Sequence, residues 1–266
     1  MIAMKARMKV LTRSLLTLAL CAAAPLSAWA ASPNAHAVAN ASAPPGGVYL
    51  GYYQEDPATN PEDPTMGSVY LNLPASDSSF SGNMYFTYFG CQSNNLGTIS
   101  GTKAATSLKG TWSGTIDGTH QTGSVAGTYS AAKGAYAGTF TVAGGKQHID
   151  IPSCISYYIA PNGTFELFAV GQNVPSDFSV SLSGNTVSWN PPSGAVMTLV
   201  FVLDPAIAAS GHGNATVWQT LVLGPQGTAN LGDIGLVSGH AYVVAVGASD
   251  GSYRRLSFAS TRFTAP

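Results

Sequence analysis

The sequence predicts an all-β chain, in which a Gly/Thr-rich antiparallel meander closes as a small barrel or sandwich and a second β-sandwich follows. Three observations predict this. First, four variants of one six-residue phrase recur: GTISGT at Gly97–Thr102, GTWSGT at Gly110–Thr115, GSVAGT at Gly123–Thr128 and GAYAGT at Gly134–Thr139. Their starts lie 13, 13 and 11 residues apart, which suits one short strand plus one turn and is too short for a strand–helix unit. Second, only 9% of the 266 residues are charged, while 30 are Gly and 16 are Pro, a composition usual in extracellular β proteins. Third, the last hundred residues alternate apolar and polar side chains between regular turn signals.

Each phrase places a large or β-branched residue (Ile99, Trp112, Val125, Tyr136) between small ones. Gly97 and Gly101 flank Ile99 on its own face, and Gly114 follows Trp112, which leaves room for neighbouring rings. Thr and Ser fill the alternate, solvated positions, where a β-branched Thr suits a strand.

Taken in order, residues 1–30 read as a signal peptide. Lys5, Arg7, Lys9 and Arg13 precede an apolar run from Ser14 to Ala24, and Ala28-Trp29-Ala30 is an A-x-A cleavage site, so the mature chain begins at Ala31. The run is too short to span a bilayer, and Leu20 stands before Cys21 where lipidation wants a small residue. Loss of the leader leaves seven basic against twelve acidic residues, a net charge of −5. That excludes nucleic acid and anionic lipid as expected partners, since both need clustered Lys and Arg.

Residues 31–47 are rich in Ala, Asn, Ser and Pro and read as a flexible linker. Residues 48–171 form the first β domain. Its strands are an aromatic one at Val48–Tyr53, then Met66–Leu73, Asn83–Phe89 and the meander. Closing strands follow at His148–Ile151, Ile155–Ile159 and Thr164–Val170, with Pro161-Asn162-Gly163 as a hairpin signal between the last two. Cys91 and Cys154, the two cysteines of the mature chain, are expected to pair. The bridge would enclose the whole meander and contribute roughly 4 kcal/mol.

Residues 172–266 form the second domain, and here the chain resembles the fibronectin type III family. Val174-Pro175 with Phe178, Val180 and Leu182 match the family's first strand, and Thr186–Pro192 (TVSWNPP) match its second, with Trp189 as the buried indole. Thr198–Leu203 match the third. Leu236–Val246 (LVSGHAYVVAV) match the L-x-x-G-x-x-Y corner running into the sixth, with Tyr242 hydrogen-bonding back upstream, and Leu256–Phe263 match the last. Leu203–Thr216 is longer than the family's usual link. The resemblance implies an Ig-like sandwich acting as a spacer or binding module, and the fold alone assigns no ligand.

Several residues could carry chemistry. Glu55, Asp56, Glu62 and Asp63, with Asn60 between them, could surround a calcium ion with oxygens, although the regular D-x-D-x-D-G spacing is absent and paired prolines explain a stiff turn equally well. No other cofactor is expected. Gly247–Gly251 (GASDG) matches the nucleophile elbow G-x-S-x-G formally, yet no helix follows it, so it reads as a hairpin turn. His120, His148, His212 and His240 are scattered singly, without metal-ligand spacing. The aromatic residues are the strongest lead. Trp112 and the doublets Tyr52-Tyr53 and Tyr157-Tyr158 are the candidate ligand-binding residues, because adjacent strand residues point to opposite faces and one of each pair is exposed or at an interface.

These features favour an exported, non-enzymatic binding or adhesion protein of the bacterial envelope or extracellular space, either periplasmic or secreted. Its expected partner is a cell-surface protein or a polysaccharide. The alternatives are an accessory carbohydrate-binding protein and, third, a secreted hydrolase using Asp117, Asp150 or Glu166. They separate on structure: adhesion predicts an exposed patch without a cleft, sugar binding a row of rings, and a hydrolase two carboxylates ~5–10 Å apart in a pocket.

Overall fold

The computed structural model describes residues 43–61, 65–88, 93–152, 154–169, 178–210, 213–224, 227–251 and 255–266. In chain order the first strands are β1 (Gly47–Glu55), β2 (Met66–Leu73), β3 (Ser78–Tyr88), β4 (Ser93–Ala104), β5 (Ser107–Ile116), β6 (Thr119–Ser130) and β7 (Ala135–Val142). β8 (Gln147–Ile151), β9 (Ile155–Ile159) and β10 (Asn162–Ala169) follow. β1 to β7 pair consecutively and antiparallel, and β10 closes the circle between β7 and β1, giving an eight-stranded barrel.

Two of the expected closing strands behave otherwise. β8 and β9 pair only with each other, as a separate two-stranded sheet. Pro161-Asn162-Gly163 is therefore not the turn of a β9–β10 hairpin. Asn162 and Gly163 already belong to β10, opposite Thr141 and Phe140 of β7, and Pro161 O accepts from Val142 N at 2.8 Å. β3 also starts at Ser78, upstream of the expected Asn83.

The meander packs one face and wets the other. Ile99, Leu108, Trp112, Val125, Tyr136 and Phe140 join the barrel core, while Thr98, Ser100, Thr111 and Ser124 point outward. The outer face of the meander is thus hydroxyl-bearing. No helix among the described residues is long and apolar enough to cross a membrane. Inward glycines make space for rings from other strands: a Cβ on Gly138 would stand 2.7 Å from the Phe165 ring, and one on Gly163 2.4 Å from the Phe140 ring. Asp117-Gly118 turns β5 into β6 with φ of 45° and 84°, the double positive φ of a two-residue type I′ hairpin.

The remainder is a two-sheet sandwich with one short helix: β11 (Val180–Ser183), β12 (Thr186–Trp189), β13 (Met197–Leu203), α1 (Pro205–Ser210), β14 (Thr216–Leu223), β15 (Thr228–Asn230), β16 (Ala241–Ser249) and β17 (Arg255–Thr264). The sheets run β11-β12-β15 and β14-β13-β16-β17. Between them lie Val187, Trp189, Val200, Val202, Tyr242, Val244 and Val246. Tyr242 OH accepts from Val237 N at 3.2 Å. The expected domain boundary at residue 172 lies outside the described residues, as do Val174 and Pro175.

Barrel and sandwich share a second apolar core. Leu50, Tyr52, Tyr70 and Phe168 on the barrel's outer wall pack against Leu199, Phe201, Leu203, Val243, Ala245 and Phe258. The Phe258 ring stacks on Phe168, with centroids 4.9 Å apart, and on Tyr52 at 5.6 Å. The sheet holding β13 and β16 is consequently covered on both faces, and every residue of β13 is buried. That explains why TLVFVL and YVVAV are unbroken apolar runs and do not alternate.

The long link after β13 belongs to this junction. Asp204 Oδ1 accepts from Ala206 N and Ile207 N at the start of α1. Its Oδ2 lies 2.9 Å from His240 Nε2. From the barrel, Asn72 Nδ2 donates to Ala209 O at 2.9 Å, Tyr70 OH donates to Gly213 O at 3.0 Å, and Ser68 Oγ meets Thr216 Oγ1 at 3.1 Å.

Candidate binding surface

The β8–β9 hairpin lies across one end of the barrel, and its alternation decides what that end presents. Ile149, Tyr157 and Ile159 point inward and join the barrel core. His148, Asp150, Ser156 and Tyr158 fall on the other face, where His148 pairs with Tyr158 and Asp150 with Ser156.

Two hydrogen bonds, each backed by a further polar partner, hold the hairpin down. Tyr157 OH donates to Asp117 Oδ2 at 2.8 Å, and burial together with that bond pushes the Tyr157 hydroxyl well above its ordinary range. Asp117 is itself fixed by Asn95, whose Oδ1 accepts from Asp117 N at 2.8 Å and whose Nδ2 donates to Asp117 Oδ1 at 3.2 Å. Asn60 Nδ2 donates both to Tyr158 O at 2.9 Å and to Glu55 Oε2 at 3.1 Å. Glu55 Oε2 also accepts from Thr65 N at 3.1 Å. Burial pushes the Glu55 carboxyl up to about 7, against the opposing pull of hydrogen bonds from Thr65, Asn60 and Ala160.

This arrangement bears on the acidic loop. Glu55 faces the barrel interior with its oxygens already engaged, while Asp56 Oδ1 turns away and accepts from Ala58 N at 2.9 Å. Glu62 and Asp63 lie outside the described residues, and among the described residues no three His, Cys, Asp or Glu side chains gather as a metal cage.

The aromatic candidates are placed as follows. Trp112 is buried inside the barrel, where its Nε1 donates to Thr141 O at 2.9 Å. Tyr53 and Tyr157 are in the same core, and Tyr52 is buried in the junction with the sandwich. Tyr158 alone of the five is open, at 41% exposure. Lys146 Nζ stands 4.4 Å over its ring, and the His148 ring lies 5.0 Å away. The outer face of the hairpin therefore carries one accessible ring beside a cation, an imidazole, a carboxylate and a hydroxyl. Strand alternation alone could not tell an inward ring from an outward one. The missing signal was which element each face packs against.

The barrel interior is not a calyx. An apolar cavity inside it, bounded by Tyr53, Met84, Trp112, Phe140 and Phe165, has a volume of about 30 Å³, and a neighbouring one has about 20 Å³. A dry cavity that admits benzene is roughly 150 Å³. Side chains fill this barrel, as eight strands allow.

The three carboxylates named for a hydrolase have different hydrogen-bond and ion-pair partners. Asp117 holds Tyr157 and Asn95, and Asp150 accepts from Ser156 Oγ at 2.7 Å. Glu166 Oε1 lies 3.6 Å from Lys133 Nζ on the barrel wall, and burial raises its carboxyl while Lys133 lowers it. Ser249 of the GASDG stretch is a buried β16 residue, so it presents no nucleophile. His212 and Cys91 lie outside the described residues. The chain matches no protein-family model and no curated protein at a significant level of similarity.

Proposed function

We propose that this chain is an exported, non-enzymatic binding protein of the bacterial cell envelope or extracellular space, making contact through the outer face of the β8–β9 hairpin. The observation that carries the reading is Tyr158, an exposed ring flanked by Lys146 and His148 on a hairpin anchored by Tyr157, Asn60 and Asp117. A rigid aromatic beside polar groups is the usual make-up of a contact centre. A cell-surface protein is the favoured partner. Among the described residues the exposed ring stands singly, without the row that a polysaccharide reader needs, so sugar binding is the second reading. Export rests on the leader and its cleavage site after Ala30.

Two structural assignments accompany this. The C-terminal sandwich is read as a fibronectin type III-like spacer. Its two strand orders, the buried Trp189 and the Tyr242 corner bond support that reading. Cys154 sits in the β8–β9 turn and is not a free thiol. A bridge to Cys91 would tether the hairpin to the segment between β3 and β4.

The test is retention of the purified mature chain on whole envelopes and on insoluble polysaccharides, with and without EDTA, beside Tyr158→Ala. Retention on envelopes that falls about tenfold in Tyr158→Ala supports the proposal, since truncating a central ring costs on the order of 2 kcal/mol. Retention on one polysaccharide alone would favour the sugar reading, and loss in EDTA would restore a calcium role to the acidic loop. Equal retention of both proteins would remove the hairpin from the site.

A further inference from the structure

We propose that the β8–β9 hairpin is a hinged lid on the barrel end, which opens while the barrel stays folded and whose closure assembles the face carrying Tyr158. The barrel ladder is complete without it. β7 and β10 pair from Ala135↔Phe168 to Thr141↔Asn162, and beyond them Val142 N donates to Pro161 O at 2.8 Å. The chain thus leaves the barrel and re-enters it at two positions bonded to each other. β8 and β9 pair with no barrel strand, so opening breaks none of the strand pairings that close the barrel. One pivot is plain in the backbone. Ala143 N is still held by Thr122 O at 2.8 Å, and Gly144 and Gly145 follow with φ of 87° and 79°, a region open chiefly to glycine. At the far end Cys154 is not a free thiol, so the tip stays tethered and the lid tilts about its ends.

The inward side chains Ile149, Tyr157 and Ile159 hold the lid shut by apolar contact. Besides the Tyr157 and Asn60 bonds, Gln121 Nε2 donates to Gln147 Oε1 at 2.7 Å. Closure nevertheless keeps three costs in place. The cavity of about 20 Å³ lies between Tyr157 and Ile159 of the lid and Glu55, Trp112 and Ile116 of the barrel. Atoms that face a void lack packing partners there. Gln121 is 1% exposed and its Oε1 has no hydrogen-bond partner. The Glu55 side chain is also buried at this end, and hydration favours both polar groups. Opening relieves all three, which makes residues 143–160 a unit that opens below the free energy of global unfolding.

The lid and the contact face are one element. Asn60 Nδ2 holds Tyr158 O only while the lid is down, and the neighbouring Tyr157 is then seated on Asp117. An unsupported two-stranded hairpin is marginal in water, so the lifted lid loses its own ladder and with it the placement of His148 beside Tyr158. Taking the Tyr158 face as the contact surface proposed above, a partner binds the closed state alone. Linkage then requires that the bound partner hold the lid shut.

The experiment is native-state hydrogen exchange of the full exported chain, with its disulfide intact, in water and in low urea. Amides of β8 and β9 should exchange at least about tenfold faster than those of β5 and β6, with a shallower urea dependence. Tyr157→Phe, which loses the bond to Asp117, should speed hairpin exchange about tenfold further and keep the shallow slope. Hairpin amides that exchange together with β5 and β6, at one rate and one steep slope, would overturn the lid, and the wild type alone decides this. So would hairpin exchange that is unchanged in Tyr157→Phe. The link to binding is read on chain retained by whole envelopes, where hairpin exchange should slow about tenfold or more while β5 and β6 are unaffected. Equal hairpin exchange on and off the envelopes would overturn that link. Fast hairpin exchange in a chain that envelopes do not retain would refute the contact reading and uphold the lid.

Discussion

Replacing Glu55 with glutamine separates the electrostatics of the barrel end from its packing. The Glu55 carboxyl is raised by burial from 4.5 to about 7. At 1.36 kcal/mol per unit, its ionisation opposes folding by about 3 kcal/mol. The sign follows from linkage. The folded state holds this proton more tightly than the unfolded chain, so the stabilisation is fully present below about pH 4.5 and is lost as pH rises through 7. The amide introduced by Glu55→Gln would retain an acceptor but turn an NH₂ toward the donors Asn60 and Thr65, a penalty that does not depend on pH. The diagnostic quantity is therefore the change in the difference between the two proteins. Urea unfolding at pH 4.5 and pH 8 should show wild type losing about 3 kcal/mol relative to Glu55→Gln across that interval. Parallel stability curves, within about 1 kcal/mol, would refute the argument that Glu55 is buried in a site that penalises its charge.

Three other outcomes follow from the geometry. Tyr157→Phe deletes the donor to Asp117 and should lower stability by about 1–2 kcal/mol in urea unfolding, while loosening the hairpin first in hydrogen exchange. Phe258→Ala opens the junction between Tyr52, Phe168 and Phe201 and should cost about 3–5 kcal/mol. The core shared by barrel and sandwich should make tryptophan fluorescence and far-ultraviolet circular dichroism of the wild type fall in one coincident transition. Gly123→Ala would drive a Cβ to 1.7 Å from Thr141 O and 2.3 Å from Trp112 Nε1. It should cost about 3 kcal/mol or more, and a red-shifted Trp112 emission would report the broken bond to Thr141.

The sequence by itself determined the local architecture. Recurring Gly-Thr phrases set strand length and spacing, and their small residues dictated which face could pack, because side-chain alternation is a local property of the extended chain. The resemblance carried by Trp189 and Tyr242 pointed to a second sandwich. Tertiary structure alone decided what each face meets. Tyr52 and Tyr53 are neighbours with equivalent propensities, yet one packs against Phe258 and the other fills the barrel. β8 and β9 read as barrel strands, and only the closure of β10 on β1 and β7 left them as a hairpin across the barrel end. The apolar runs of β13 and β16 held a signal of two-sided burial, but the second covering layer comes from barrel residues far away in the chain, such as Leu50, Tyr52 and Tyr70. Long-range pairing is decided by the sum of such packings. The buried carboxyl of Glu55 and the exposed ring of Tyr158 both follow from that closure.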